Sequence, residues 1–231
     1  MLPRVLVGCP TSDYHEYCVN EYIDRIKNLS YKNYDILLVD NSKTDDYYKK
    51  LLKLGVKVIK TKYFENAKDR IVDSRNILRR YAIENNYDYL LSLEQDVIPE
   101  KNVIDELIKH KEKIVSGVYF NNFPKDGKDR FLMCLWVNRG DDKETIYHID
   151  EIELHKPKVI EITACGLGCI LLHKDVLEKI EFRYEKDAIP FDDVYFCMDV
   201  KKKGFKIYAN TGVVCKHLFL KRPWDWKELK L

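Results

Sequence analysis

Residues 87 to 99 read YDYLLSLEQDVIP, and this stretch decides the fold. Tyr87 to Leu93 have the length and apolar content of a buried strand, and the run stops abruptly at Glu94-Gln95-Asp96. An extended backbone would point Glu94 and Asp96 the same way and set two like charges within a few ångströms of each other. Such a pair is unfavourable unless a cation stands beside it. A divalent ion bound through oxygen, Mg²⁺ or Mn²⁺, is the economical answer, with water and substrate phosphates filling the remaining positions. The plain alternative is a solvated turn that caps a helix starting at Pro99-Glu100.

Outward from this strand the first half alternates two periodicities. Arg4 to Cys9, Tyr34 to Val39 and Val56 to Lys60 read as further strands, and Tyr14 to Leu29, Asp45 to Leu54 and Asn66 to Asn85 as the helices between them. Strand-helix alternation predicts right-handed crossovers and a mainly parallel sheet covered on both faces, a doubly wound, Rossmann-like α/β unit. Beyond Pro99 come a helix from Lys101 to Lys111 and a strand from Lys113 to Tyr119. The pattern then loosens: Asn121 to Gly127 is loop chemistry, and Phe131 to Val137 and Thr145 to Ile149 are strand-like. Ile160 to Leu172 reads as a strand broken by Gly166-Leu167-Gly168, Phe191 to Lys203 as a helix ended by Gly204, and Phe205 to Tyr208 and Val213 to Cys215 as two short strands. No repeat or linker interrupts the chain, so one domain over 1–231 is the expectation.

The 231 residues suffice for a sizeable core. The 40 basic and 38 acidic residues give a net charge of +2, which argues against coating a nucleic acid. No apolar run approaches the roughly 18 residues that span a bilayer, and Met1 to Val5 leads into a strand rather than a signal peptide, so a cytoplasmic protein is expected. The seven cysteines show no paired C-x-x-C arrangement and are expected as free, mostly buried thiols.

In a doubly wound sheet ligands gather outside the carboxyl ends of the strands. Those ends carry Thr11-Ser12-Asp13, Asp40-Asn41-Ser42 and Glu94-Gln95-Asp96. Singly, each has a structural reading: Ser42 and Asp45 have the spacing of a capping box, and Thr11 or Ser12 fits a helix cap. Their coincidence at one edge favours a site. Asp192 and Asp193 begin a helix, where the macrodipole favours carboxylates, and either suits a general base. His217 closes a short strand near the C-terminus as a candidate metal ligand.

Four segments, in order, carry a resemblance: VLVGCPTSDYHEY (5–17), ILLVDNSKTDD (36–46), SRNILRRYAIENNYDYLLSLEQDVIP (74–99) and FDDVYFCMDVKKKGFKIY (191–208). Together they resemble GT-A fold glycosyltransferases, most closely the family 2-like enzymes that use nucleotide-sugar donors. The resemblance implies a donor-binding half over 1–118 and an acceptor-binding, catalytic half over 119–231, with a smaller mixed β region on the acceptor side. It implies that Thr11 and Asp40 hold the donor's base and ribose, and that Arg75 approaches the nucleotide or its phosphates. Glu94 and Asp96 fall on the ends of the family's DxD motif, with Asp96 and His217 as the metal ligands. Asp193 matches the general base, supported by Asp192, for an inverting single displacement on a Mn²⁺- or Mg²⁺-assisted donor. Glu94 replaces the usual Asp, Tyr195 stands where the family's "ED" stretch has another acid, and Asp199 replaces a frequent arginine.

The implied partners are a UDP-, GDP- or dTDP-sugar and a glycan, lipid-linked or protein acceptor. Ala164 to Gly168 and the aromatic residues Tyr119, Phe120, Trp136 and Tyr147 are candidates to meet that acceptor, and the tail HLFLKRPWDWKEL (217–229) is a candidate for peripheral membrane contact. Two other readings compete. A sugar-phosphate nucleotidyltransferase would need a glycine-rich loop after the first strand, where Gly8-Cys9-Pro10-Thr11 has one glycine. A non-catalytic carbohydrate-binding protein of the same fold would tolerate loss of the strand-end acids, all of which are present.

Overall fold

The computed structural model describes residues 2–139, 142–149, 154 and 158–222. In chain order the elements are β1 (Val5–Thr11), α1 (Val19–Lys27), β2 (Tyr34–Asp40), α2 (Asp46–Lys53), β3 (Val58–Lys60), α3 (Ala67–Glu84), β4 (Tyr89–Leu93) and β5 (Val97–Ile98). They continue with α4 (Val103–Ile108), β6 (Ile114–Val118), β7 (Phe120–Asn122), β8 (Phe131–Met133), β9 (Leu135–Arg139), β10 (Asp142–His148), β11 (Val159–Ile162) and β12 (Ala164–Cys165). The last are β13 (Cys169–His173), α5 (Lys174–Lys179), α6 (Asp192–Lys202), β14 (Ile207–Val214) and β15 (Lys216–His217).

An eight-stranded sheet in the order β11-β14-β6-β13-β4-β1-β2-β3 forms the centre. Strands β1 to β4, β6 and β14 share one direction, while β13 and the edge strand β11 run against them. Apolar residues on both faces of each central strand explain the two-sided burial. Val5, Val7 and Leu91 point to one face with Tyr22 and Ile26 of α1. Leu6 and Leu90 point to the other with Leu78 of α3, Val176 of α5 and Phe196 of α6. Asn66 caps α3 through its side chain, accepting from the Lys68 amide at 2.7 Å.

The second half departs from the sequence reading in four places. The glycine-broken run over 160–172 is three strands in two sheets, and its last piece, β13, lies antiparallel between β4 and β6. Phe205 to Cys215 is largely one strand, β14, with a register shift rather than a gap. Asn121 and Asn122 belong to β7, which pairs with β8. The pair β5–β15, with Val97 opposite His217, has no counterpart in the sequence reading and ties the turn after β4 to the far end of the chain. Residues 223 to 229 of the tail lie outside the described residues. All seven cysteines are free and buried, and no described helix is long and apolar enough to cross a membrane.

Candidate active site

β4 ends at Leu93, and the backbone then turns, the Val97 amide donating to the Glu94 carbonyl at 3.0 Å. The turn breaks the alternation that would have aimed Glu94 and Asp96 at one cation. Glu94 meets Arg75 (Nη2 to Oε1, 2.6 Å), whereas Asp96 meets Arg222 and His217. Gln95 turns inward instead, 1% exposed, where its amide donates to the His15 carbonyl and the Tyr47 hydroxyl and accepts from the Thr11 hydroxyl.

A cleft of about 440 Å³ opens beside this turn, lined by Arg75, Glu94, Tyr119, Phe123, Trp136, Asp192, Asp193, His217 and Arg222 among others. Arg75 is its inner wall and only 4% exposed, so it is no helix-surface arginine. Its guanidinium donates to Ser92 Oγ (2.7 Å) and Glu94, and its Nε lies 2.8 Å from Asp192 Oδ2, an ion pair off the hydrogen-bond axis. Asp192 is thereby buried behind Arg75 as its counter-charge. Burial raises its pKa above the usual carboxylate value despite the guanidinium. Its neighbour Asp193 lines the cleft and accepts from the Val194 amide at 2.8 Å. Burial, then the charges of Asp192 and Glu94, push the Asp193 carboxyl up to about 6. That value lies close to where a general base works best.

Asp96 and His217 are brought together across the β5–β15 pair, with Oδ2 3.5 Å from Nε2 and side chains 1% and 4% exposed. Burial alone would raise the Asp96 carboxyl. The guanidinium of Arg222, with two hydrogen bonds to the same oxygen, outweighs it and holds the group well below the usual carboxylate range. The His217 Nδ1 lies 2.7 Å from the Phe120 carbonyl, an oxygen that only accepts, so this nitrogen carries the hydrogen and Nε2 presents its lone pair. This orientation by a backbone carbonyl is the one metal-binding imidazoles use. Among the described residues no three His, Cys, Asp or Glu side chains converge. The residues therefore fit a divalent cation held by one carboxylate and one imidazole, with its other positions left to water and phosphate. Sequence reasoning missed Arg222; its signal is the basic pair Lys221-Arg222 just after His217, in a stretch that reads as a candidate for membrane contact.

Two of the candidates stay away from the cleft. Thr11 is 2% exposed and spent on Gln95. Asp40 is fully buried: Oδ1 accepts from the Ser42 amide and hydroxyl at 3.0 and 2.5 Å, and Oδ2 from Lys60 at 3.0 Å. Ser42 also accepts from the Asp13 amide at 2.8 Å, so it makes no capping box, and α2 begins without a side-chain cap. Tyr119 proves to be packing as well as lining. A Cβ on Gly166 or Gly168 would lie 2.0 or 2.9 Å from its hydroxyl oxygen, and that oxygen accepts from the Gly168 amide at 3.1 Å.

A family model, Glycosyl transferase family 2, matches residues 13–181. The chain belongs to this family. The matched span contains the Glu94–Asp96 turn and Arg75 of this family 2 chain, and stops short of Asp192, Asp193 and His217. Among solved structures, GalNAc-T7 with UDP, GalNAc and Mn²⁺ aligns with 94% of the chain and 44% of its own, at 12% identity and a TM-score of 0.63. The mannosyltransferase PcManGT from Pyrobaculum calidifontis, in complex with GDP-Man and Mn²⁺, aligns with 93% of the chain and 56% of its own, at 15% identity and 0.60. The family 2 chain thus spans about half the length of these two proteins, and at such identity the likeness concerns the GT-A fold. No curated protein sequence matches.

Proposed function

We propose that this family 2 chain transfers a sugar from a nucleotide-sugar donor to an acceptor hydroxyl, with inversion, and that Asp193 is the general base. The observation that carries the reading is the position of Asp193: a carboxyl pushed up to about 6, in a cleft that also holds Arg75, Glu94 and His217. Asp193 takes the proton from the acceptor hydroxyl. The acceptor oxygen then forms its bond to the anomeric carbon while the bond to the diphosphate oxygen breaks, its electron pair leaving with the phosphate. Asp192 keeps Arg75 in place, and Arg75 faces the leaving side with Glu94.

Asp96 and His217 would hold the divalent cation, which when bound supplies Lewis-acid stabilisation of the departing diphosphate. The nucleotide and Mn²⁺ named with GalNAc-T7 and PcManGT support a nucleotide-sugar and metal for this chain too. Phe123 and Trp136 line the cleft with rings on which an acceptor sugar would stack. In this assignment residues 1–118 serve the donor and 119–231 the acceptor.

The test is a panel of UDP-, GDP- and dTDP-sugars, each with and without Mn²⁺, read by thermal shift and then by release of free nucleotide diphosphate. One donor that raises Tm only with Mn²⁺, and is then consumed, is the expected result. A panel without any metal-dependent shift would sink the assignment.

A further inference from the structure

Both groups assigned to the cation are already turned on a cation that belongs to the chain. Arg222 donates to Asp96 Oδ2 from Nη2 at 2.6 Å and from Nε at 3.0 Å, and its Nη2 lies 3.2 Å from the His217 Nε2 lone pair. The Tyr17 hydroxyl adds a further donor to the same Oδ2 at 3.0 Å. The side chains of Asp96, His217 and Arg222 are 1%, 4% and 10% exposed. A buried carboxylate stripped of its partner costs several kcal/mol, so without a metal some positive group must sit here. A divalent cation needs these same lone pairs at about 2.0–2.2 Å. Guanidinium and metal therefore exclude each other.

The way the segment is attached shows which part moves. Leu218 is anchored, 3% exposed, with its amide donating to the Asp96 carbonyl at 2.8 Å, and β15 holds His217 in the ladder with β5. Beyond that anchor the chain makes a single turn of 3-10 helix, Phe219–Lys221, with Leu220 75% exposed. Phe219 packs its ring on His217, centroids 5.0 Å apart, so lifting Arg222 with 219–222 loosens that contact while the β5–β15 ladder keeps the His217 backbone in place.

We propose that Arg222 is an internal counter-cation that closes the Asp96–His217 pair until a divalent cation displaces it, so that metal binding and release of residues 219–222 are one event. The proposal rests on the metal-assisted reading given above. Arg222 then sets the apparent metal affinity, because each binding event includes the work of breaking its ion pair.

The experiment titrates Mn²⁺ into the full chain without donor and reads free Mn²⁺ by its solution electron paramagnetic resonance signal. Arg222→Ala and Arg222→Gln should each bind Mn²⁺ at least tenfold more tightly than the parent, with Arg222→Lys between. Asp96→Asn should abolish binding in both the parent and the Arg222→Gln backgrounds. Hydrogen exchange at 219–222 should accelerate when the parent is saturated with Mn²⁺. Circular dichroism melts decide which variants are folded, and the Gln variant stands in if the Ala variant is not. Equal or weaker Mn²⁺ binding by a folded Arg222 variant would overturn the proposal and leave the metal site standing. Binding by neither parent nor variants would overturn both, and unchanged exchange on saturation would overturn the displacement.

Discussion

Two polar regions sit at the same sheet edge and are built on opposite principles. Around Thr11 and Asp40 polar side chains are spent on one another: Thr11 and Tyr47 on Gln95, Ser42 and Lys60 on Asp40, Asn41 on Ser74. Around the cleft the partners are charges, and several are incompletely matched. Arg75 is divided between Glu94 and Asp192, Asp193 is pushed up to about 6, and Asp96 shares one guanidinium with His217. A closed hydrogen-bond lattice fixes backbone. Carboxylates held off their ordinary acidity by burial and neighbours suit chemistry, and on the proposed reading they mark where the reaction belongs.

The comparison breaks most visibly if activity does not follow the second region. Asp193→Asn should lower kcat by about 10³-fold or more, within the range of a lost general base, with donor binding by thermal shift nearly unchanged; near-parental turnover would remove Asp193 from the role. Next comes the first region: Asp40→Ala leaves Lys60 and the Ser42 amide without their acceptor and should cost about 3 kcal/mol of stability in urea unfolding. A loss of activity at full stability would mean instead that Asp40 serves the donor directly.

The same asymmetry has a sign in pH. The folded Asp193 carboxyl titrates near 6, above its unfolded value of 3.8, so its burial costs stability progressively from about pH 4 to 6 and by the full amount above 6. Asp193→Asn should therefore be more stable than the parent at pH 8, by on the order of 2 kcal/mol, with the gain gone below about pH 4. In the parent, kcat/KM should fall about tenfold for each pH unit below 6. The smallest effect should come from outside both regions: Lys206→Ala removes an exposed pair with Glu161 and should leave Tm and turnover unchanged.

The first half of the fold was open to reading because each strand carries its own apolar run and each helix its own period. The strands β13, β14 and β15 could not be placed that way, since their partners lie far off in sequence and local patterning holds no information on insertion between β4 and β6. The site followed the same division. Type and position single out Asp96, His217 and Asp193, and the structure brings Asp96 to His217 and sets Asp193 in the cleft that His217 lines, but the split of Glu94 from Asp96 depends on a turn whose torsions no alternation rule gives. Thr11 and Asp40 read as donor contacts in the sequence and have internal partners in the structure, because polar residues at strand ends are common to both uses. Only their burial and partners tell the uses apart.

The pairing of β5 with β15 has a consequence for folding order. Asp96 and Arg222 stand 126 residues apart in the chain, against 84 between Val5 and Tyr89 of the β1–β4 pairing, so the cation pair is a longer closure than the central sheet needs, by about 0.4 kcal/mol of loop entropy. The donor-side sheet can consolidate while the cation pair is still open. A folding intermediate would then expose the Asp96 turn with neither His217 nor Arg222 in reach. On the proposed reading the cation site is complete only once β15 has joined β5, so Mn²⁺ binding followed during refolding would report the arrival of the C-terminal strand.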